Sequence, residues 1–390
     1  MMRRNIAFPA ATLWHTIPTM RLPIVELPSV RAPFENGPKS IGAVRVLRIS
    51  ITDRCNFRCL YCMPEEGVRW LPREDILGFE EICDVIKAAI ELHGIRRFKL
   101  TGGEPTVRHG LVDLVAMIRR IEGVQDLSLT TNGQRMTDLA EPLRQAGLDR
   151  VTISLDSLQP EKFRQITRTG DLATVLKGLD RCEEVGFDSL KINCVTMRGT
   201  NDDELVDFAR LSLSRALTVR FIEYMPLGDA ALLHADGDRP AIDSSELGPA
   251  GGCGAQDRGE QSLIPEAAVR AIIEAELGEL VPIDRASEAG VGPANVYKLA
   301  KGNSKGRIGF ISAMSAPFCS TCNRLRLTAN GLLRSCLFEG GEVDLRAILR
   351  SSSDTKSRRD AIAQAMTDCV RLKPDVHSRH GNQQMSRIGG

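Results

Sequence analysis

Six short β-branched or apolar runs recur along the first part of the chain, at Val44–Ile51, Arg96–Thr101, Asp126–Thr130, Arg150–Leu155, Ser189–Thr196 and Thr218–Ile222. Helix-length segments lie between them: Phe79–His93, Leu111–Ile121, Asp138–Ala146, Ala173–Val185 and Asp202–Arg210. Alternation of this kind makes neighbouring strands parallel, because each helix carries the chain back over the sheet before the next strand begins. The expected class is therefore α/β, with a parallel sheet curved into a full or partial barrel or left open.

Distinctive polar residues follow the carboxyl ends of these strands. The first leads into "DRCNFRCLYCMPEEG", the second into Gly102-Gly103-Glu104-Pro105 and the third into Thr130-Thr131-Asn132-Gly133. The fourth ends in Ser154 and Asp156, the fifth carries Lys191 and Asn193, and the sixth holds Arg220 and Glu223 and runs into Met225. In a βα-barrel that face builds the active site, so one site assembled from six loops is expected.

The flanks read differently. Residues 1–40 are Pro-rich and without periodicity, an expected disordered extension; the first 21 carry Arg and no acid, faintly like a transit peptide. The barrel is expected over 41–228. Residues 229–263, rich in Gly, Ala and Asp, read as a flexible insertion, and 264–390 as a C-terminal section. That section opens on a helix from Ile264 to Leu277, carries a short helical tail region and ends in Ile388-Gly389-Gly390.

Charge and cysteine usage narrow the function. The 51 basic and 50 acidic residues nearly cancel, so nucleic acid is not the default partner, and affinity for an anion must come from locally placed cations. No run approaches the roughly 18 apolar residues of a membrane helix, so no membrane partner is expected. Eleven cysteines without a secretory signal read as reduced thiols of a cytoplasmic protein. Six fall in two groups, Cys55-x3-Cys59-x2-Cys62 and Cys319-x2-Cys322-x13-Cys336. Cys83, Cys182, Cys194, Cys253 and Cys369 are scattered and receive no chemistry; the first three read as buried small hydrophobes.

Three soft thiolates in one loop suit zinc or an iron-sulfur cluster, and a closed zinc site wants a fourth ligand. His93 or His109 would complete a zinc knuckle at the first triplet, and a Cys3His site is the alternative at the second. Three ligands on a four-iron cube instead leave one iron open. Beside the second triplet, Arg324 and Arg326 stand two apart, as on one face of a strand; paired guanidinium groups suit a phosphate chain.

Cys-x3-Cys-x2-Cys after the first strand, with Gly-Gly-Glu-Pro after the second, resembles the signature of radical S-adenosylmethionine enzymes. Within them the chain is similar to the GTP 3′,8-cyclase family of molybdenum cofactor biosynthesis. The likeness runs through "LRISITDRCNFRCLYCMPEEG", "LTGGEP", "LTTNG", "ISLDSL", "KINCV" and "VRFIEYMP", then resumes at "FCSTCNRLRLTANGLLRSCLF" and the terminal Ile-Gly-Gly. The resemblance implies an incomplete (β/α)6 barrel of the TIM type with a C-terminal section carrying a second cluster. It implies two 4Fe-4S clusters, one on Cys55, Cys59 and Cys62 and one on Cys319, Cys322 and Cys336, and an S-adenosylmethionine pocket lined by Tyr61, Gly103, Ser154 and Met225. Arg48, Lys99, Thr130, Lys191, Arg220, Arg324 and Arg326 would surround GTP, and Gly389-Gly390 would reach the active site as a catalytic tail. The implied chemistry takes hydrogen from ribose C3′, joins that carbon to guanine C8 and yields a cyclised dihydro-GTP. The implied partners are an electron donor such as flavodoxin or ferredoxin and a downstream cyclic pyranopterin monophosphate synthase; a homodimer is allowed.

Two departures stand out: Lys99 takes the place of the family's usual Arg, and 229–263 is longer and richer in Gly than that position leads one to expect. Two other readings compete, a peptide-modifying radical enzyme with an auxiliary cluster and a non-enzymatic zinc-binding module. The peptide enzyme has no need of the Arg pair. The six-strand polar rim counts against the zinc module.

Overall fold

The computed structural model describes residues 37–227, 262–284, 292–300, 304–339, 342–351, 354–378 and 385–389. Cys253, Gly390, nearly all of the N-terminal extension and most of the 229–263 insertion lie outside them.

All six expected strands form, as β1 (Val46–Ser50), β2 (Arg97–Thr101), β3 (Asp126–Thr131), β4 (Arg150–Ser154), β5 (Ser189–Thr196) and β6 (Leu217–Glu223), each parallel to the next. Between them run α1 (Phe79–His93), α2 (Leu111–Arg119), α3 (Met136–Gln145), α4 (Pro160–Thr167), α5 (Leu172–Val185) and α6 (Leu205–Ser214). Their ends follow local chemistry. The Gly78 N–H donates to Glu81 Oε2 at 2.6 Å at the start of α1, Gly94 closes it at φ +64°, and the Asp171 carboxylate caps α5 at Thr174 N–H.

Strand residues alternate between two environments. Leu47, Ile49, Phe98, Leu100, Leu129, Val151, Ile153, Ile192 and Val219 pack outward against Ile82, Ile86, Leu114, Ile118, Leu143, Leu179 and Phe208 of the helices. The opposite face carries Arg48, Lys99, Ser128, Thr130, Thr152, Lys191, Asn193 and Arg220. Most βα-barrels fill that interior with branched apolar side chains. Here polar and charged groups keep it open as a cavity.

The C-terminal section lengthens the same sheet at both edges through β7 (Leu280–Pro282), β8 (Asn295–Leu299), β9 (Arg307–Ile311), β10 (Arg324–Leu327), β11 (Leu332–Arg334) and β12 (Glu342–Asp344). The strand order is β12-β11-β10-β1-β2-β3-β4-β5-β6-β9-β8-β7. β9 lies parallel beside β6 and β10 parallel beside β1; the outer strands are antiparallel. The barrel is thus open and incomplete, and the second cysteine group is brought onto it by strand pairing. α7 (Glu266–Leu277) packs on α6, followed by α8 (Leu345–Leu349), α9 (Thr355–Arg371) and α10 (Met385–Ile388). The expected short helical tail contains a 17-residue helix, α9, which packs on α1. Cys83, Cys182, Cys194 and Cys369 are buried in this framework. No helix among the described residues is long and apolar enough to cross a membrane.

Candidate active site

The first cysteine loop follows β1 and is held by the loops that follow β2, β3 and β4. From β2, the Gly103 and Glu104 N–H groups donate to the carbonyls of Thr52 and Arg54, each at 2.8 Å. A methyl on Gly103 would sit 2.5 Å from the Arg54 oxygen and one on Gly102 2.6 Å from the Thr52 oxygen, so side-chain-free residues are required for this approach. Glu104, 1% exposed, then accepts from Thr106 N–H and Oγ1, Thr131 Oγ1 and Asn132 N–H, locking the β2 loop to the β3 loop. Its burial nevertheless raises its carboxyl above the usual range, the hydrogen bonds opposing. From β3, Asn132 Nδ2 donates to Asn56 Oδ1 at 2.9 Å; from β4, the Asp156 carboxylate receives the Tyr61 hydroxyl at 2.7 Å.

Cys55, Cys59 and Cys62 are half-buried in this loop. Burial, reinforced by the Glu104 charge, pushes the Cys55 thiol up to about 12, and burial with the neighbouring Cys62, Asp156 and Cys55 raises Cys59 far above its ordinary value. These sulfurs keep their protons unless a metal displaces them. Among the described residues no three His, Cys, Asp or Glu side chains converge as around a single metal ion. A four-iron cube, which carries each thiolate on a different iron, does not need that convergence. The proposed zinc-completing histidines lie elsewhere: His93 Nε2 is 2.9 Å from the Ala363 carbonyl, and His109 is exposed.

The second triplet stands on the C-terminal strands. Cys319 and Cys322 bracket the turn before β10 and Cys336 follows β11. Arg324 Nη2 reaches 3.9 Å from Cys322 Sγ, and the buried Lys373 donates to the Cys322 carbonyl at 3.0 Å. Burial alone would raise the Cys322 thiol; Arg324 and Lys373 outweigh it and bring it down to about 7. The His377 backbone N–H serves Cys319, while its ring stacks on Phe338 at 3.9 Å with Nε2 2.9 Å from the Ala313 carbonyl. Three thiols in one loop fit an iron-sulfur group at the first triplet, and three thiols beside Arg324 and Lys373 fit one at the second.

One cavity joins the second triplet to the barrel interior. It is lined by Cys319, Cys322 and Cys336 and by all seven residues expected around a nucleotide, Arg48, Lys99, Thr130, Lys191, Arg220, Arg324 and Arg326. Strand register sets Arg326 beside Arg48 and Arg48 beside Lys99, three cations in a row on adjacent strands. Burial and mutual repulsion lower the pKa of Arg48 and Lys99 well below their ordinary values and bring Arg326 down to about 9. Among the described lining residues the carboxylate is Asp126, already held by Arg150 through Nε at 2.6 Å and by a second bond from Nη2. Such an excess of enclosed positive charge calls for a polyanion. Thr130 Oγ1, Asn193 Oδ1 and Ser335 Oγ, also on this wall, are buried without a hydrogen-bond partner among the described residues.

Met225 lines the same cavity. Tyr61 and the first triplet belong to the cysteine loop instead and Gly103 to the β2 loop bonded to it, and Ser154 stands beside Asn193 at the strand ends. Gly389 is buried, with φ +71°; its carbonyl accepts from Arg326 Nη1 at 2.6 Å, and a methyl there would lie 2.6 Å from Thr101 Cγ2. The tail therefore reaches the ends of β1 and β2. Sequence reasoning left Asn193, Ser335, Lys373, His377 and the Asp126–Arg150 pair without roles. Along the inward face, four residues back from Thr130 stands Asp126 and two back from Thr152 stands Arg150; Ser335, Lys373 and His377 carry no comparable signal.

Two family models match the chain: the Radical SAM superfamily over residues 49–212 and Molybdenum Cofactor Synthesis C over residues 245–379. The GTP 3′,8-cyclase of Pelotomaculum thermopropionicum is 44% identical over 351 residues, covering 89% of this chain and 98% of that protein. That of Thermodesulfovibrio yellowstonii is 41% identical over 347 residues, 88% and 97%, and that of Pseudomonas putida 42% over 331 residues, 85% and 89%. With its cysteine loop pinned by Gly-Gly-Glu-Pro and its cationic cavity shared with a second triplet, the chain belongs to the GTP 3′,8-cyclase family of radical S-adenosylmethionine enzymes.

Proposed function

We propose that the protein converts GTP to (8S)-3′,8-cyclo-7,8-dihydroguanosine 5′-triphosphate, with the triphosphate in the cationic cavity and the base at Cys319, Cys322 and Cys336. The observation that carries this reading is the sharing of one wall by those three cysteines and the Arg326, Arg48, Lys99 row. A nucleotide is long enough to place a base at one end of such a site and phosphates at the other.

Cys55, Cys59 and Cys62 hold the first 4Fe-4S cluster, and Tyr61, Gly103, Ser154 and Met225 line the S-adenosylmethionine pocket. When bound and reduced, that cluster supplies the electron that cleaves S-adenosylmethionine to the radical that takes the C3′ hydrogen. Arg48, Lys99, Lys191, Arg220, Arg324 and Arg326 neutralise and orient the phosphates, fixing the ribose by charge-assisted bonds. Thr130, Asn193 and Ser335 complete the polar wall with groups that gain partners when substrate fills the cavity. Gly389 approaches the strand ends where a bulkier residue would not fit, and Gly389-Gly390 serves as the catalytic tail. A flavodoxin or ferredoxin serves as electron donor, cyclic pyranopterin monophosphate synthase receives the product, and the setting is cytoplasmic.

The test is anaerobic reconstitution with iron and sulfide counts, then incubation with GTP, S-adenosylmethionine and a strong reductant. About eight irons per chain and deoxyadenosine formed only with GTP are expected. Stoichiometric zinc, or deoxyadenosine formation indifferent to GTP, would overturn the reading.

A further inference from the structure

Arg168 has φ +60° and ψ −37°, and it is the non-glycine residue with positive φ among the described residues. An L-residue is held there only where its surroundings over-determine it. The surroundings are the first cysteine loop. Arg168 Nη1 donates to the carbonyls of Arg58 and Met63, both at 3.1 Å, and these two carbonyls bracket the segment that contains Cys59 and Cys62.

The rest of the turn makes the same attachment. The Arg58 and Leu60 N–H groups donate to the Thr167 and Ile166 carbonyls at 3.0 and 2.9 Å, and Thr169 Oγ1 donates to the Asn56 carbonyl at 2.7 Å. A methyl on Gly170 would stand 2.9 Å from the Phe57 ring, which meets Phe163 of α4 edge-on. Thus α4 and its exit turn form a bracket along the cysteine loop, and the strained residue supplies the bracket's cation. Its guanidinium is held against the backbone on both sides of Cys59 and Cys62. The neighbouring carboxylate, Glu65, lies 3.8 Å from Nε with its side chain 81% exposed, so solvent screens that pairing.

We propose that Arg168 is a positioning residue for the first cysteine loop and that its guanidinium raises the reduction potential of the cluster held there. The inference rests on the assignment of Cys55, Cys59 and Cys62 to that cluster. Reduction adds one negative charge to the cluster, and a fixed cation beside it in a partly desolvated loop favours the reduced form. Two carbonyls committed to one nitrogen keep that cation from swinging into solvent.

The experiment uses the full chain with Cys319→Ser, Cys322→Ser and Cys336→Ser, reconstituted so that only the first triplet ligates iron. Arg168→Gln and Arg168→Lys are compared with this parent by iron count and by redox titration followed by electron paramagnetic resonance. Arg168→Gln is expected to keep its iron and to lose about tenfold in the reduction equilibrium, about 59 mV more negative for a one-electron couple. Arg168→Lys should stay near the parent. An unchanged potential in Arg168→Gln overturns the proposal. If Arg168→Gln loses its iron, Arg168→Lys decides: a cluster at the parent's potential upholds the role of the charge, and loss of iron or a negative shift refutes it. A parent that binds no four-iron cluster defeats the assignment of the triplet itself, a result separable from all the others.

Discussion

The Tyr61 hydroxyl donates to Asp156 Oδ2 at 2.7 Å, tying the cysteine loop to the end of β4 across 95 positions of sequence. Asp156 is 4% exposed and also receives the Val195 N–H at 2.8 Å, while its own carbonyl accepts from Asn201 Nδ2 at 2.7 Å. The loop is therefore joined through β4 to the turn beyond β5. Tyr61→Phe leaves a buried carboxyl oxygen short of a donor, at a cost of about 1 to 3 kcal/mol. We expect a lower urea midpoint and weaker iron retention at the first triplet. Unaltered stability and deoxyadenosine yield would mean that the bond is incidental.

What the sequence made legible follows from the length and locality of each signal. β1 to β6 are runs of five to eight residues separated by amphipathic helices, and each was evident from its own residues. α4 was not, because its eight residues bury little beyond Phe163 and Ile166 and are otherwise polar. β7 to β12 span three to five residues and owe their existence to distant partners, as when β10 pairs with β1 and β9 with β6. The site divides in the same way. Motif residues at strand ends were visible, whereas the hub at Glu104 and the Lys373 bond to Cys322 depend on loops that only the fold brings together.

Arg326 also holds the tail, through Gly389. Gly389 lies at φ +71° with no room for a methyl against Thr101, so Gly389→Ala should unseat the tail as deletion of residues 389–390 does. Both changes are expected to abolish the cyclised product while leaving iron and sulfide counts at both triplets intact. Full turnover by the shortened chain would show the tail to be dispensable.

The two arginines of β10 should separate in a binding experiment. Arg326 lines the cationic cavity, and its guanidinium has donors beyond the one given to Gly389. Arg326→Ala should weaken GTP by roughly ten- to a hundredfold, the equivalent of about 1.5 to 3 kcal/mol for a charge-assisted contact, and guanosine hardly at all. Arg324 stacks over Phe318 at 4.8 Å and approaches Cys322 Sγ, so Arg324→Ala should reduce iron at the second triplet as well. Lysine at 326 should recover part of the loss, having charge without the two-pronged geometry. Anaerobic titrations with both ligands decide it; equal weakening of GTP and guanosine by Arg326→Ala would remove this residue from the phosphates.

Lys99 gives the site a dependence on pH. Its burial comes first, and then the charges of Arg220, Arg48, Arg150 and Lys191 on four other strands, in holding the ammonium well below the ordinary lysine value. Nζ donates to Thr152 Oγ1 at 3.3 Å, a neutral partner that does not offset those cations. A triphosphate supplies the missing negative charge and draws the Lys99 pKa back up. Only the protonated amine gains this attraction, so between the depressed pKa of the empty site and the raised one of the filled site, binding takes up a proton. Across that window GTP affinity should fall as pH rises, by up to about tenfold per unit for one proton. Lys99→Arg puts a more basic group at this position, and should flatten the slope and reduce the uptake. Calorimetry in two buffers of different ionisation heat, at several pH values, measures the proton directly. Equal uptake by wild type and Lys99→Arg would assign the linkage to another group.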